Sequence, residues 1–174
     1  MNEKKSILVV DDDRSILRSF RQILESEGYK VDTAETGREA MRKAKASYFD
    51  LALLDIRLPD IEGTELLRTL TEEVDLTYPT MPKMAKIIVT GHASLENAIE
   101  SLNLGADAYL MKPVEAGKLL RVVKEKLGDE EKSGEKEEES VGPEEEHTPV
   151  KKEEAALDSL MDSALSLLDE KGTS

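Results

Sequence analysis

A doubly wound α/β fold built on a five-stranded parallel sheet is the architecture this sequence predicts, on two observations. Five short apolar runs alternate with five segments of helical period over residues 6–128, the pattern of repeated βα units. Four of the five runs are continuous rather than alternating, as strands covered on both faces must be.

The elements follow in order. SILVV (6–10) is the first strand, and a helix over 14–27 carries Ile16, Leu17, Phe20, Ile23 and Leu24 on one face before Gly28. YKVDTA (29–34) alternates more than the others and is expected near an edge of the sheet. The second helix, 37–46, starts after Thr36 and holds Ala40, Met41 and Ala44. LALLD (51–55) is the third strand, with a helix over 63–73 through Leu66, Leu67 and Leu70. Segment 74–85 reads as a surface loop, longer than such units usually need. KIIVT (86–90) precedes a helix opening after Ser94, with Ala98, Ile99 and Leu102 inside. DAYLM (107–111) leads to a helix over 115–127 that uses Leu119, Leu120, Val123 and Leu127.

After Gly128 the composition changes abruptly. From Asp129 onward there are 16 acidic and 5 basic residues, against 22 and 19 before it, so most of the net charge of −14 belongs to the tail. Residues 129–153 lack the apolar content to offset ordering entropy and are expected to be a disordered acidic linker. Residues 154–171 form an amphipathic helical pattern, with Leu157, Leu160, Met161, Ala164, Leu165 and Leu168 on one face. Its acidic polar face argues against anionic membranes, and its apolar stripe has three candidate seats: the body of this chain, a second copy of the helix, or a groove of another protein.

Composition also narrows the function. Neither the balanced body nor the acidic tail offers the basic face that direct nucleic-acid binding needs. No apolar run approaches the roughly 20 residues that span a bilayer. The chain has no cysteine, which makes a reducing cytoplasm the expected location.

In an open parallel sheet, ligands bind beyond the carboxyl ends of the strands. Those ends carry Asp11, Asp12 and Asp13, then Asp55, Thr90 and Lys112. Carboxylates so close repel and are stable as a set only with a cation. Oxygen ligands with open positions suit Mg²⁺ or Mn²⁺. Lysine adds a mobile point charge and threonine a hydroxyl donor, so the set suits an aspartate nucleophile attacking phosphorus. Asp13, just before the helix opened by Arg14, is the expected N-cap.

The segments VVDDD (9–13), LLDIRLPDIEG (53–63), VTGHAS (89–94) and GADAYLMKPV (105–114) resemble, in order and spacing, the receiver domain of two-component response regulators. The resemblance covers nearly all of residues 5–128. It implies the strand order 2-1-3-4-5 and makes Asp55 the phosphoacceptor. It further implies Asp11, Asp12, Asp55 and the backbone carbonyl of Arg57 as Mg²⁺ (or Mn²⁺) ligands, and Thr90 and Lys112 as contacts to the phosphoryl oxygens. Tyr109 falls at the family's switch position, paired with Thr90, and Lys112–Pro113 at its cis peptide. Arg57 and His92 occupy variable places thought to tune phosphoryl lifetime.

The expected function is therefore a phosphorylation-dependent switch that is not itself an enzyme. Its expected partners are a sensor histidine kinase or phosphotransfer protein and an output protein, for which residues 155–170 are one candidate contact. Two alternatives are a receiver-like scaffold that works without phosphorylation and an aspartyl-phosphate phosphohydrolase. The second would want another acid two residues after the nucleophile, where this chain has Arg57.

Overall fold

The structure, a computed structural model, describes residues 3–129. The expected acidic linker (129–153) lies outside the described residues except for Asp129, and the expected helix over 154–171 lies wholly outside them.

Five parallel strands form one sheet in the order β2-β1-β3-β4-β5. They are β1 (Ser6–Val10), β2 (Lys30–Ala34), β3 (Leu51–Leu54), β4 (Ala85–Thr90) and β5 (Ala108–Met111). β2, the most alternating run, does lie at an edge, and three of its five residues are only half-buried. The helices are α1 (Arg14–Ser26), α2 (Gly37–Ala46), α3 (Gly63–Thr69), α4 (Leu95–Asn103) and α5 (Ala116–Leu127). Among the described residues no helix is long and apolar enough to cross a membrane.

Side chains alternate across the sheet, so each strand feeds two cores. Ile7, Val9, Leu51, Leu53, Ile87 and Val89 pack against Leu17, Phe20 and Leu24 of α1 and Leu119 and Val123 of α5. Leu8, Val10, Ala52, Leu54 and Ile88, also buried, face the other way, toward α2, α3 and α4. Caps fix the helix starts. The side chains of Asp13, Thr36 and Ser94 accept from backbone N–H groups in the first turns of α1, α2 and α4.

Two expectations need correction. Residues 74–85 are not a simple surface loop. Helix α3 continues through a π-helical turn (Leu70–Val74) and a last α-turn (Asp75–Thr77), and Val74 and Met84 are buried. The Thr69, Thr71 and Thr77 hydroxyls each donate to the carbonyl four residues back, a bond that satisfies the hydroxyl and tends to bend a helix, beside the π-helical turn. Tyr78 then anchors the connection by donating to the Lys45 carbonyl and by an edge-on ring contact with Tyr48.

The second correction is Ile99, expected inside and found 47% exposed. Helix α4 buries Ala98 and Ser101 instead, a close-packed face of small residues. Ser101 tolerates burial because its hydroxyl donates to the Asn97 carbonyl.

Candidate functional site

The parallel register brings the ends of β1, β3, β4 and β5 to one rim of the sheet. Asp55 follows β3 directly, and its N–H donates to the Val10 carbonyl at 3.0 Å, while the Asp11 N–H donates to Ala34 at 3.1 Å. Each acid is thus held by its own backbone at the point where the sheet ladder ends. Asp11 and Asp55 are 3% and 6% exposed, and Asp12 faces solvent. Carboxylate oxygens of Asp11, Asp12 and Asp55 all lie within 4.8 Å of one another.

Lys112 binds this cluster. Its Nζ donates to Asp11 Oδ2 at 2.5 Å and to Asp55 Oδ2 at 2.8 Å. Burial pushes the Lys112 ammonium down, but the hydrogen bonds to Asp11 and Asp55 outweigh it and hold its pKa above the usual lysine value. Burial likewise raises the Asp11 carboxyl above the ordinary value, and contact with Lys112 only partly offsets this. The Lys112–Pro113 peptide is cis, in agreement with the resemblance.

Thr90 ends β4 fully buried, and its Oγ1 accepts from the His92 N–H at 3.1 Å. That bond occupies the oxygen as an acceptor and leaves the hydroxyl proton free to donate. The Lys112 N–H donates to the Thr90 carbonyl at 2.9 Å, tying the two rim residues together. Tyr109 in β5 is 6% exposed, its hydroxyl without a hydrogen-bond partner, and burial raises its pKa. Arg57 and His92 are exposed beside the cluster, and the Arg57 N–H donates to Asp55 Oδ1 at 3.1 Å.

Asp11, Asp12, Asp55, Thr90 and Lys112 therefore meet at this rim. One further contributor was quoted on the sequence without a role. Gly63 opens α3, and its N–H donates to the Ile56 carbonyl at 2.6 Å. A Cβ at this position would collide with the Asp55 carbonyl oxygen and with Ile56 Cα, so only glycine lets α3 approach the backbone of the rim acid. The available signal was a glycine at the first position of a helix, where propensity disfavours it.

The donor set is made of oxygens, is open on the Asp12 side and carries three carboxylates against one ammonium, which fits a hard divalent cation.

Comparison with known proteins agrees with this geometry. The response regulator receiver domain profile matches residues 7–124. A receiver domain protein (CheY-like) from Methanospirillum hungatei is 53% identical with TM-score 0.64, over 73% of this chain and 96% of that one. A response regulator from Burkholderia pseudomallei, solved with a phosphorylated aspartic acid and a calcium ion, is 27% identical with TM-score 0.61, over 72% of this chain and 70% of that one. The transcriptional regulatory protein ZraR of Klebsiella oxytoca is 37% identical over 125 residues, 72% of this chain and 27% of the relative. The chain thus spans about a quarter of that relative's length. In this family phosphorylation and Mg²⁺ binding at an acidic cluster are typical, and its members are typically non-enzymatic signalling domains. With its fold, its rim of acids and its sequence all in agreement, the chain belongs to the response regulator receiver domain family.

Proposed function

We propose that this chain is a switch of a two-component system that accepts a phosphoryl group on Asp55 from the phosphohistidine of a sensor histidine kinase or phosphotransfer protein. The observation that carries the reading is the Lys112 ammonium bridging Asp11 and Asp55 within the three-acid cluster. An Asp55 carboxylate oxygen attacks phosphorus as the phosphorus–nitrogen bond of the donor breaks, and the imidazole leaves. Asp11, Asp12, Asp55 and the Arg57 carbonyl are the groups that would hold Mg²⁺ (or Mn²⁺). Bound there, the ion supplies charge neutralisation for the incoming phosphoryl oxygens. Lys112 shifts its contact from the Asp55 carboxylate to a phosphoryl oxygen, and Thr90 donates its free hydroxyl proton to another.

Drawing Thr90 toward the phosphoryl group changes the packing around the neighbouring Tyr109, which couples the rim to the surface of α4, β5 and α5. Output by protein contact, through that face or through residues 155–170, completes the proposal. Removal of residues 150–174 is expected to leave phosphorylation intact and to reduce capture of the output protein.

The test is incubation of the full chain with a small phosphodonor and Mg²⁺. A single phosphate, stable to acid and released by hydroxylamine, is expected on the wild type and not on Asp55→Asn. Label that persists in Asp55→Asn overturns the assignment, and no label on the wild type favours a scaffold that works without phosphorylation.

A further inference from the structure

The loop that follows Asp55 is held at its tip by a different helix, and this arrangement has no counterpart in the chemistry described above. Residues 57–62 form a small closed turn. Arg57 and Glu62 pair as an antiparallel bridge at its mouth, and the Gly63 N–H closes it on the Ile56 carbonyl. At the far side, Asp60 Oδ1 accepts from the Gly37 N–H at 2.8 Å, and Oδ2 accepts from the Arg38 N–H at 2.9 Å. Both donors belong to the first turn of α2. The third N–H of that turn, on Glu39, donates to Thr36 Oγ1 at 3.1 Å.

Helix α2 therefore has two caps of separate origin. Thr36 serves it from its own chain segment, and Asp60 from a loop 22–23 residues away in sequence. The two backbone bonds draw the Asp60 carboxyl below the ordinary aspartate value despite the opposing effect of desolvation. Ile61 reinforces the junction. A Cβ on Gly37 would collide with its Cγ2, so α2 begins with the one residue that lets Ile61 settle over its first turn.

We propose that Asp60 is a positioning residue for the metal site. By latching the 57–62 loop to α2, it fixes the direction of the Arg57 carbonyl, and so raises the affinity of the rim for Mg²⁺. The inference rests on the proposed role of that carbonyl as a ligand. A carbonyl in a short loop is aimed by whatever fixes the loop, as groups behind a ligand aim it in other metal sites. Here one end of the loop is fixed by Gly63 and the tip by Asp60. Without Asp60 the tip loses both hydrogen bonds that tie it to α2.

The experiment titrates Mg²⁺ alone into the full, unphosphorylated chain by calorimetry, for the wild type, Asp60→Ala, Asp60→Asn and Thr36→Ala. Asp60→Ala is expected to weaken Mg²⁺ binding about 10-fold, within the range for groups that orient metal ligands. Phosphorylation by a small donor at saturating Mg²⁺ is expected to stay near the wild-type rate, with only the Mg²⁺ concentration for half-maximal rate raised. Asp60→Asn keeps one acceptor oxygen and recovers part of the affinity. Thr36→Ala removes the other cap of the same helix and separates the latch from general loosening of α2. It is expected to lower the melting temperature and leave Mg²⁺ affinity as in the wild type. Equal affinities for Asp60→Ala and wild type overturn the latch, as does an equal loss in Thr36→Ala. If the wild type itself binds no Mg²⁺, the proposed metal site fails and the latch with it, a result distinct from either of those.

Discussion

Two lysines lie inside this fold at opposite ends of its strands, and their surroundings differ in one respect. Lys112 follows the carboxyl end of β5, its side chain 18% exposed, with carboxylates of Asp11 and Asp55 on its ammonium. Lys86 sits near the amino end of β4, 3% exposed, and its Nζ donates to a single neutral acceptor, the Met84 carbonyl, at 3.0 Å. Burial lowers the pKa of Lys86, and the more distant charges of Asp75 and Asp107 do not restore it. Lys112 suffers burial too, but its two ion pairs raise its pKa instead. Burial alone thus marks a lysine that strains the fold. Burial beside two carboxylates marks one that holds a reactive acid in place.

The contrast breaks first at Lys112. Replacing it with alanine leaves Asp11 and Asp55 without their ammonium and is expected to slow phosphorylation of Asp55 by about 100-fold or more, the scale of losing one preorganised donor. Timed labelling with a small phosphodonor measures this, and a rate within a few-fold of wild type would dissolve the distinction. The matching change, Lys86→Met, is expected to leave labelling unchanged. It should raise stability by about 1–2 kcal/mol by removing a desolvated charge that no carboxylate contacts. The urea midpoint reads that gain, and a loss of stability would show that the Met84 contact compensates the charge.

A smaller effect sharpens the comparison through pH. Lys86 has a folded pKa below its unfolded value of 10.5, so between the two the unfolded chain binds more protons and stability rises with pH. The advantage of Lys86→Met over wild type should therefore shrink as pH approaches 10.5 from below. Lys112 has the opposite sign. Its folded pKa lies above 10.5, so its contribution is fully present below that value and is lost only as pH rises through the folded pKa. Melting curves of both proteins from neutral to alkaline pH follow the difference. An advantage that stays constant up to pH 10.5 removes Lys86 as its source.

Much of this was legible before any coordinates. Apolar runs placed every strand to within a residue at each end, and for the four continuous ones the reason is that a strand buried on both faces has few polar positions to blur its edges. The rim residues were legible because each ends such a run or follows it within two residues. Ile99 was not, since helix α4 turns a satisfied serine inward, and polarity in sequence does not reveal that a hydroxyl has found a carbonyl within its own helix. The extension of α3 to Thr77 was hidden for a related reason, as Asp75–Thr77 reads as a loop in composition while the Thr77 hydroxyl bonds back to the Glu73 carbonyl. The Asp60 junction joins residues 37, 38 and 60, and nothing local in either segment points to the other.

The sequence by itself determined the strands, the helix caps at Asp13, Thr36 and Ser94, and the identity of the acids, hydroxyl and lysine at the rim. Those depend on hydrophobic period and on side chains acting within a few residues of themselves. Only the tertiary structure decided that Lys112 spans Asp11 and Asp55, that Gly63 must lack a side chain, and that Asp60 caps a helix not its own. Each of those is set by the distance between segments remote in the chain. That distance follows from how the sheet and its covering helices pack, and no local pattern carries it.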